Sequence, residues 1–493
     1  MREREVKLEV GSFAYSPGYS ILEDTVVTAL PRREIVTEYW DTDDHRLVRW
    51  GCTLRFRPGE GWKVKIPKAR KLVGLERDEI RLAGESDSPP ADALDLVQAF
   101  TRGSPVKRVA RLRTLREGLR FADSRGAVVA ELDYDTVEAR ENGSVTASFG
   151  EIEVELGPEA PDSILETAVR RLQADGAGDV VKVPKLARAL GSPANRRPSP
   201  ATARLRKKAT ARSVIKDSIG AAVQRFVMNL PGLYLDEDIE AVHQVRVAAR
   251  RLRSNLRTFQ PLLDTGWRRH LRSELRAFAT RLGPIRDADV LRERLRRDAA
   301  LIPQLDGDSL KAILADLERE RGQARDEMIE ALRDERTNQL LDLLDDAANN
   351  PRTLPQADRP ARKLLPKLAA TPWRRLRRAT KAAGRNPPDE VLHDIRLKAK
   401  QTRYAADAVE PAVGRPAAAF AKAVSRVQET LGDHRDALSA AEWLKSRSAA
   451  HDPQVAFAAG QLAGLQFAAA ATLKSEWRSA WKRASSPKLR RWM

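Results

Sequence analysis

The spacing of hydrophobic positions divides the chain into two parts. Up to about residue 190, short segments alternate apolar and polar side chains; in the first of them Val6, Leu8 and Val10 alternate with charged residues. A period of two is typical of a strand with one buried face. From about residue 207 the pattern is helical, rich in Ala, Leu and Arg, with Pro and Gly at its breaks. We therefore predict an α+β protein, with an antiparallel sheet followed by an all-α part.

The predicted elements define the domain boundaries. Strands are predicted at 3–10, 34–40, 53–57, 62–66, 76–82, 111–115, 128–135 and 151–156, and a helix at 162–175. Residues 191–203 are rich in Pro, Ser, Ala and Arg, a composition typical of a linker. We predict a sheet domain at 1–195, a linker at 196–206 and a helical domain at 207–493.

Charged residues recur at every second position of the predicted strands. The positions that share a face within one strand are Glu3, Glu5, Lys7 and Glu9; Arg55 and Arg57; Lys63 and Lys65; Arg77, Glu79 and Arg81; Arg111 and Arg113; Glu131, Asp133 and Asp135; and Glu151, Glu153 and Glu155. These faces either lie in solvent around a thin core or line a polar tunnel inside a closed sheet. Acids and bases concentrate on different strands, which favours a tunnel that holds a polyanion and its metal. Carboxylates suit Mg²⁺ or Mn²⁺, and Arg and Lys suit phosphate.

Length and composition limit the class of protein. A chain of 493 residues is longer than a typical single domain. Its single cysteine, Cys52, excludes an internal disulfide framework, which fits a reducing compartment. The charged N-terminus is unlike a signal peptide, and no run of about 18 residues is apolar throughout. We therefore expect a cytoplasmic protein without a membrane span.

The net charge of +19 is unevenly distributed. Residues 1–200 contain 32 Lys and Arg against 33 Asp and Glu, whereas residues 201–493 contain 56 against 36. The excess positive charge therefore belongs to the helical part, which predicts that this part binds a polyanion.

The helical part contains an internal repeat. The segment that begins at His243 matches the one that begins at His393, and this alignment superposes Arg246 on Arg396. About 40 residues further on, the segment 282–288 (LGPIRDA) matches 431–437 (LGDHRDA), although Ile285 stands where the second copy has His434. Two matched helical copies predict a pseudo-symmetric helical bundle.

Each repeat begins with a basic stripe on one helix. The stripe residues are His243, Arg246, Arg250, Arg253 and Arg257 in the first copy, and His393, Arg396, Lys400 and Arg403 in the second. Residues 243–257 contain five arginines and no acid, which is unusual for a solvated surface helix. Few aromatic residues interrupt the stripes and no nucleic-acid motif is present, so nucleic acid is a less suitable ligand than a chain of phosphates.

The N-terminal motifs resemble the CYTH, or triphosphate tunnel metalloenzyme, family. The segment 3–7 (EREVK) is similar to the family's ExExK signature, and 39–42 (YWDT) is similar to its aromatic-aromatic-Asp-Thr motif. The other motif positions, in the order expected of the family, are Leu54–Arg57, Lys65, Glu79, Arg111, Arg113, Asp133, Glu151–Glu153 and Lys185. The resemblance covers about residues 1–195 and implies an antiparallel β-barrel that forms a tunnel.

This resemblance implies roles for individual residues. The implied ligands of Mg²⁺ or Mn²⁺ are Glu3, Glu5, Asp133, Glu151 and Glu153. The implied triphosphate-binding residues are Lys7, Arg55, Arg57, Lys65, Arg111, Arg113 and Lys185. The implied catalytic residues are Lys7, Lys65 and Asp133. Charges at the rim of the tunnel are expected from Glu9, Lys63, Arg81 and Glu155.

The repeated motifs of the helical part resemble the CHAD domain, a conserved-histidine α-helical domain. The resemblance covers about residues 207–485 and implies two pseudo-symmetric four-helix bundles that bind inorganic polyphosphate. The implied contacts are His243, Arg246, Arg250, Arg253, Arg286, His393, Arg396, Lys400, Arg403 and Arg435.

The two resemblances together predict a function. We expect metal-dependent hydrolysis of inorganic tripolyphosphate, or a related triphosphate, in the tunnel and polyphosphate binding by the helical domain. An association with polyphosphate granules in the cytoplasm is compatible with this function. The alternative is a non-catalytic protein that binds polyphosphate or associates with granules. Trp50 and Trp62 are candidates to stack on an organic group or to pack in the core.

Overall fold

The computed structural model describes residues 4–67, 77–85, 87–141, 144–181, 183–191, 209–235, 239–448 and 452–493. The chain divides into two compact units, residues 1–198 and residues 199–493. The predicted linker at 196–206 and the predicted metal ligand Glu3 lie outside the described residues.

The first unit, called here the sheet unit, is built on one antiparallel sheet. Its elements are β1 (Glu5–Glu9), β2 (Val26–Asp41), α1 (Arg46–Trp50), β3 (Thr53–Arg57), β4 (Gly61–Pro67), β5 (Arg77–Leu82), α2 (Ala91–Thr101), β6 (Lys107–Ala122), β7 (Val128–Glu141), β8 (Ser144–Leu156), α3 (Ser163–Ala174) and α4 (Lys185–Leu190). The strand order is β1-β8-β7-β6-β2-β3-β4-β5.

The pairing of the described strands is that of an open sheet. β1 and β5 are the two ends of the strand order, and each neighbouring pair is antiparallel. The free edge of β1 bonds to the segment 178–181, where Glu9 N–H donates to the Asp179 carbonyl at 3.0 Å and Val181 N–H donates to Lys7 at 2.8 Å. A closed ring of strands, as implied by the sequence resemblance, is therefore not formed by these hydrogen bonds.

One face of the sheet is apolar where helix α3 covers it. Val6, Leu8, Ile152 and Val154 are buried there together with Leu172 of α3. These strand residues alternate with the charged positions of β1 and β8, as the period of two predicts. The opposite face of the same strands is therefore the charged one.

The second unit, called here the helical unit, contains ten long helices in its described part. They are α5 (Ala211–Asn229), α6 (Ile239–Thr258), α7 (Thr265–Arg281), α8 (Gly283–Ala299), α9 (Gly307–Arg333), α10 (Glu335–Asn349), α11 (Ala361–Ala382), α12 (Asp389–Val413), α13 (Arg415–Ser448) and α14 (Pro453–Ala484). Several begin at a side chain that caps the first turn: Asp264 accepts a hydrogen bond from Trp267 N–H at 2.7 Å, and Asp306 accepts one from Ser309 N–H at 2.7 Å.

Two groups of four helices organise this unit. Helices α5, α6, α7 and α10 pack together, and helices α11–α14 enclose a core that includes Trp373, Phe420 and Trp477. Helices α8 and α9 pack against each other and share a second core with the ends of α13 and α14. The described part thus has two helices more than a pair of four-helix bundles requires. Helices α6 and α12, which begin the two sequence repeats, pack against each other.

Helix α14 bears on the expectation that the chain has no membrane span, and it leaves that expectation a prediction. Residues 453–473 contain no charged side chain. Ala, Gly and Gln occupy most positions between the larger apolar residues. By length and composition this helix is apolar enough to cross a membrane, a test that a core helix of a soluble protein also passes. One side of it packs in the core, as Leu462 and Trp477 show by their complete burial.

Candidate functional site

The charged face of the sheet encloses a polar cavity of about 440 Å³. Seven strands contribute to its wall, including both end strands β1 and β5, so the sheet curves around this space. The charged residues that line it are Glu5, Lys7, Arg55, Arg57, Glu60, Lys63, Lys65, Glu79, Arg81, Arg116, Glu153, Glu155 and Lys185. Eight of these are basic and five acidic, so the lining favours an anion.

The basic wall is formed by β3, β4 and β5. Arg55 lies directly across from Lys63, and Lys65 lies across from Glu79. Glu79 contacts Lys63 Nζ at 2.6 Å and Lys65 Nζ at 3.3 Å. Burial alone would raise the pKa of Glu79, but the hydrogen bond from Lys63 and the charges of both lysines lower it to about 2. Glu79 therefore stays ionised and fixes the two ammonium groups in the wall.

Arg55 and Arg57 are the two arginines of β3, and both line the cavity. Arg57 Nε donates to Thr37 Oγ1 at 2.9 Å, and burial together with the neighbouring charge of Arg55 lowers the pKa of Arg57. Arg55 Nε is buried without a hydrogen-bond partner among the described residues. An unpaired buried donor on a cation is costly unless a ligand accepts its hydrogen bond.

Lys7 lies among three carboxylates at the other side of the cavity. Its Nζ contacts Glu153, lies 3.4 Å from Glu5 and 3.7 Å from Glu151. Burial disfavours the ammonium, but these three carboxylates raise the pKa of Lys7. The pKa of Glu153 is held well below its usual range, against the effect of burial, by Lys185, Lys7 and Arg116. Lys7 is thus a permanent cation in the cavity wall.

Arg116 is a cavity residue that the sequence analysis missed. Its guanidinium contacts Asp133 at 2.5 Å and both Asp135 and Glu153 at 2.6 Å. On β6 it shares the cavity face with Leu112 and Thr114, since these positions are two residues apart. The spacing therefore contained the signal, but the charges at positions 111 and 113 directed the assignment to the wrong face.

Arg111 and Arg113 do not lie in the cavity, which corrects their predicted role in triphosphate binding. Their side chains are 61% and 43% exposed on the opposite face of β6, where Arg113 pairs with Glu34 at 2.7 Å. The remaining predicted triphosphate-binding residues, Lys7, Arg55, Arg57, Lys65 and Lys185, line one cavity.

The predicted metal ligands are only partly brought together. Glu5 and Glu153 line the cavity on either side of Lys7, whereas Asp133 and Glu151 do not line it. Glu151 is fully buried, and Arg188 contacts it at 3.0 Å; Asp133 is held by Arg116. Among the described residues no three His, Cys, Asp or Glu form a group able to hold a metal. Asp133 and Glu151 therefore contact Arg116 and Arg188 behind the cavity wall, and the metal-ligand set stays a prediction.

The structure locates the residues predicted at the tunnel rim and one of the two candidate stacking tryptophans. Lys63, Arg81 and Glu155 line the cavity, whereas Glu9 is exposed outside it. Trp62 is completely buried, and its Nε1 donates to the Glu85 carbonyl at 2.7 Å. It therefore packs in the core and does not present a stacking surface.

The helical unit assembles its basic stripes at the contact of α6 and α12. We call the residues that meet there the central cationic cluster: Arg246, Arg250, Arg396, Lys400 and Arg403. All five are partly buried. Arg246 is held by the ends of α7 and α8, because its Nη1 donates to the Leu282 and Gly283 carbonyls at 3.1 and 2.7 Å.

The other four members of this cluster have no ion pair with a carboxylate in the described part of the chain. The Nε atoms of Arg250, Arg396 and Arg403 are buried without a hydrogen-bond partner there. Burial, together with the charges of neighbouring arginines, lowers the pKa of Lys400 to about 8. The guanidinium carbons of Arg250 and Arg403 lie 5.7 and 4.6 Å from the Tyr404 ring centroid, within the range of a cation–π contact.

The two repeat histidines flank this cluster equivalently. Burial and the nearby Arg286 lower the pKa of His243, and burial with Arg396 and Arg435 lowers the pKa of His393. His393 Nδ1 is buried without a hydrogen-bond partner among the described residues. Both imidazoles are therefore neutral at neutral pH and able to gain a proton when an anion approaches.

Two positions of the repeat depart from the expected symmetry. The charged neighbours of Arg253 are Arg276 and Arg257, so Arg253 lies apart from the central cationic cluster that its counterpart Arg403 joins. Ile285 and His434 are 2% and 3% exposed, so this difference between the copies lies in the core.

Comparison with solved structures gives similarities of limited extent. The CHAD domain from the plant Ricinus communis is 23% identical, with a TM-score of 0.47, over 58% of this chain and 95% of that chain. A putative adenylate cyclase from Bacillus halodurans is 19% identical, with a TM-score of 0.22, over 35% of this chain and 86% of that chain.

Sequence comparison gives a family. The family model for the CHAD domain matches residues 217–445, inside the helical unit. Uncharacterized protein MT2285 from Mycobacterium tuberculosis (strain CDC 1551 / Oshkosh) is 33% identical over 484 residues, which cover 90% of this chain and 88% of that protein. The chain therefore belongs to the family of this mycobacterial protein, and its helical unit contains a CHAD domain.

Proposed function

We propose that the helical unit binds inorganic polyphosphate and that the cavity of the sheet unit is a triphosphate tunnel that hydrolyses inorganic tripolyphosphate. The observation that carries the first part is the central cationic cluster. Arg250, Arg396 and Arg403 have buried Nε donors without partners among the described residues, and a phosphate chain supplies many charged acceptors. Polyphosphate binding is also what resemblance to the CHAD domain implies.

The cavity supports the proposed hydrolysis of tripolyphosphate because its cations are held at fixed positions in the wall. Arg55 and Arg57 face the space from β3, and the lysines of β4 are held beside them by Glu79. Guanidinium and ammonium groups at fixed positions bind phosphate oxygens and stabilise charge that develops during phosphoryl transfer. Arg116, oriented by Asp133 and Asp135, adds a cation at the other wall.

A divalent metal would be held at the Lys7 side of the cavity. Glu5 and Glu153 supply carboxylates of the kind that Mg²⁺ or Mn²⁺ prefers, and Glu3, outside the described residues, belongs to the same predicted set. When bound, the metal would neutralise charge on phosphate oxygens. Lys7 already contacts both carboxylates, so it would also lie next to the bound phosphate.

The same contacts favour the alternative of binding without hydrolysis. Lys7, Arg116 and Lys185 neutralise the carboxylates of the cavity, leaving less negative charge for a metal. In that case the cavity binds a triphosphate end and the protein is a polyphosphate-binding module.

A matched pair of arginine variants tests the cavity. Arg55→Gln removes an unpartnered cavity donor, whereas Arg111→Gln removes an exposed arginine from the outer face. With tripolyphosphate and Mg²⁺ or Mn²⁺, we expect kcat/KM for phosphate release to fall roughly tenfold to a hundredfold in Arg55→Gln, because one charge-assisted hydrogen bond is lost. Arg111→Gln should match the wild type, and equal losses in both variants would contradict the placement.

Metal dependence is tested by binding as well as by turnover. Titration calorimetry with Mn²⁺ and tripolyphosphate should show weaker Mn²⁺ binding for Glu5→Gln, and removal of metal by a chelator should abolish phosphate release. Glu9→Gln, an exposed carboxylate on the same strand, is the control. If the wild type binds tripolyphosphate but releases no phosphate with either metal, the binding-only alternative is correct.

The pKa of Lys400 predicts how polyphosphate affinity changes with pH. Below a pH of about 8 the ammonium is charged and available to phosphate; above it, the free protein loses this charge and binding must restore the proton. Affinity should therefore decrease as the pH rises through about 8, by up to roughly tenfold per pH unit.

The control for this titration is Lys400→Arg, which keeps the charge but does not deprotonate in this range. Calorimetric affinities of the variant should stay level where those of the wild type decline. A decline of the same size in both proteins would assign the pH dependence to another group.

A further inference from the structure

A second group of cations lies beside the central cationic cluster, on α6 and α7. We call it the distal arginine cluster, and its members are Arg253, Arg257, Arg268, Arg272 and Arg276. The two helices are consecutive and pack against each other, so the C-terminal half of α6 faces the N-terminal half of α7. The internal repeat does not account for this cluster, because three of its members lie on α7, outside the matched motifs.

The distal arginine cluster lacks internal neutralisation. Burial, with the charges of Arg257, Arg268 and Arg253, lowers the pKa of Arg272. The Nε atoms of Arg268 and Arg272 are buried without a hydrogen-bond partner in the described part of the chain. The acid on α7, Glu274, pairs instead with Arg336 at 2.9 Å. Five arginines therefore lie together while the adjacent carboxylate is used elsewhere.

The two clusters share one stripe of α6. Arg246 and Arg250 belong to the central cluster, and Arg253 and Arg257 continue the same stripe at spacings of three and four residues. With a rise of about 1.5 Å per residue, the stripe from Arg246 to Arg257 is about 16 Å long. An extended anion that lies along α6 therefore reaches both clusters, whereas a compact one contacts a single cluster.

The side chains around the distal arginine cluster favour a phosphate chain over a nucleic acid. The aromatic residues of α7, Trp267 and Phe278, are 7% and 6% exposed, so they offer no surface on which a base could stack. Guanidinium groups without aromatic partners recognise phosphate oxygens, which a linear polyphosphate presents at every unit.

We propose that the distal arginine cluster is a second phosphate-binding site, and that one long polyphosphate chain lies along α6 in contact with both clusters. The helical unit is then selective for chain length, because only a long chain gains the distal contacts. This inference rests on the proposed polyphosphate binding by the helical unit and adds to it the site and the length selectivity.

The test compares the full-length wild type with Arg257→Gln/Arg272→Gln. Binding of long-chain polyphosphate and of tripolyphosphate is measured by calorimetry at several salt concentrations. We expect the variant to bind the long chain at least tenfold more weakly, with a salt slope reduced by roughly one per lost phosphate contact. Its binding of tripolyphosphate should be unchanged, since a short chain is held by other cations.

Matched variants separate charge from folding. Arg225→Gln/Arg269→Gln removes two exposed arginines of α5 and α7 and should bind like the wild type. Arg257→Lys/Arg272→Lys keeps the charge and should recover most of the salt slope. Equal loss in the Arg225/Arg269 control, or unchanged long-chain binding in Arg257→Gln/Arg272→Gln, would overturn the distal site.

Two further outcomes distinguish this inference from the proposed function. If the wild type binds no polyphosphate of any length, the proposed function of the helical unit fails as well. If Arg250→Gln/Lys400→Gln loses long-chain binding while Arg257→Gln/Arg272→Gln does not, polyphosphate binding stands and the distal site alone is wrong.

Stronger binding of single-stranded DNA than of polyphosphate through the distal arginines would assign the site to nucleic acid and overturn it.

Discussion

Mutual repulsion among half-buried cations is the constraint on which the helical unit depends. Arg250, Arg396 and Lys400 meet at the contact of α6 and α12, and Lys400 responds with a lowered pKa. The apolar faces of the same two helices hold them in place: Val245, Ala249 and Leu252 of α6, and Ile395 and Ala399 of α12, are completely buried. Helix packing therefore maintains an arrangement of charge that is unfavourable until an anion binds. A polyanion would relieve the repulsion and give the buried donors acceptors, which is the physical reason for the polyphosphate binding proposed above.

In the sheet unit, by contrast, most cations of the cavity wall have carboxylate partners. Lys7, Arg116 and Lys185 are each paired with carboxylates, so these three cations are held in ion pairs before any ligand enters. Among the described residues of the cavity wall, Arg55, with its unpartnered Nε, resembles the cations of the helical unit. The two units thus suit different tasks. Uncompensated charge gives strong, salt-dependent attraction of a long polyanion, whereas a compensated network holds its donors at fixed positions, which suits the triphosphate binding proposed above.

The sequence predicts the cavity and cluster residues where the spacing of charged residues assigns them to one face of a strand or helix. Strict alternation in β1, β3 and β4 predicts one shared face for the charged residues of each strand, and Lys7, Arg55 and Lys65 line the cavity. The repeat predicts that Arg250 and Lys400 occupy equivalent positions. Strand β6 was assigned to the wrong face because charged residues occur on both of its faces, and only its tertiary packing selects Arg116 over Arg113. The sequence repeat also does not predict that Arg253 and Arg403 have different neighbours. That difference depends on the arginines of α7, which lie beside the first copy of the repeat.

The unpaired cations between α6 and α12 are proposed above to bind a phosphate chain. The most direct measurement is calorimetric titration of the full-length protein with long-chain polyphosphate at neutral pH, comparing Arg250→Gln/Arg396→Gln with Arg375→Gln/Arg378→Gln, which removes two exposed arginines of α11. We expect the first variant to bind at least tenfold more weakly and the second to bind like the wild type. Equal affinities of the two variants would contradict it, because general positive charge, and not this cluster, would then explain the binding.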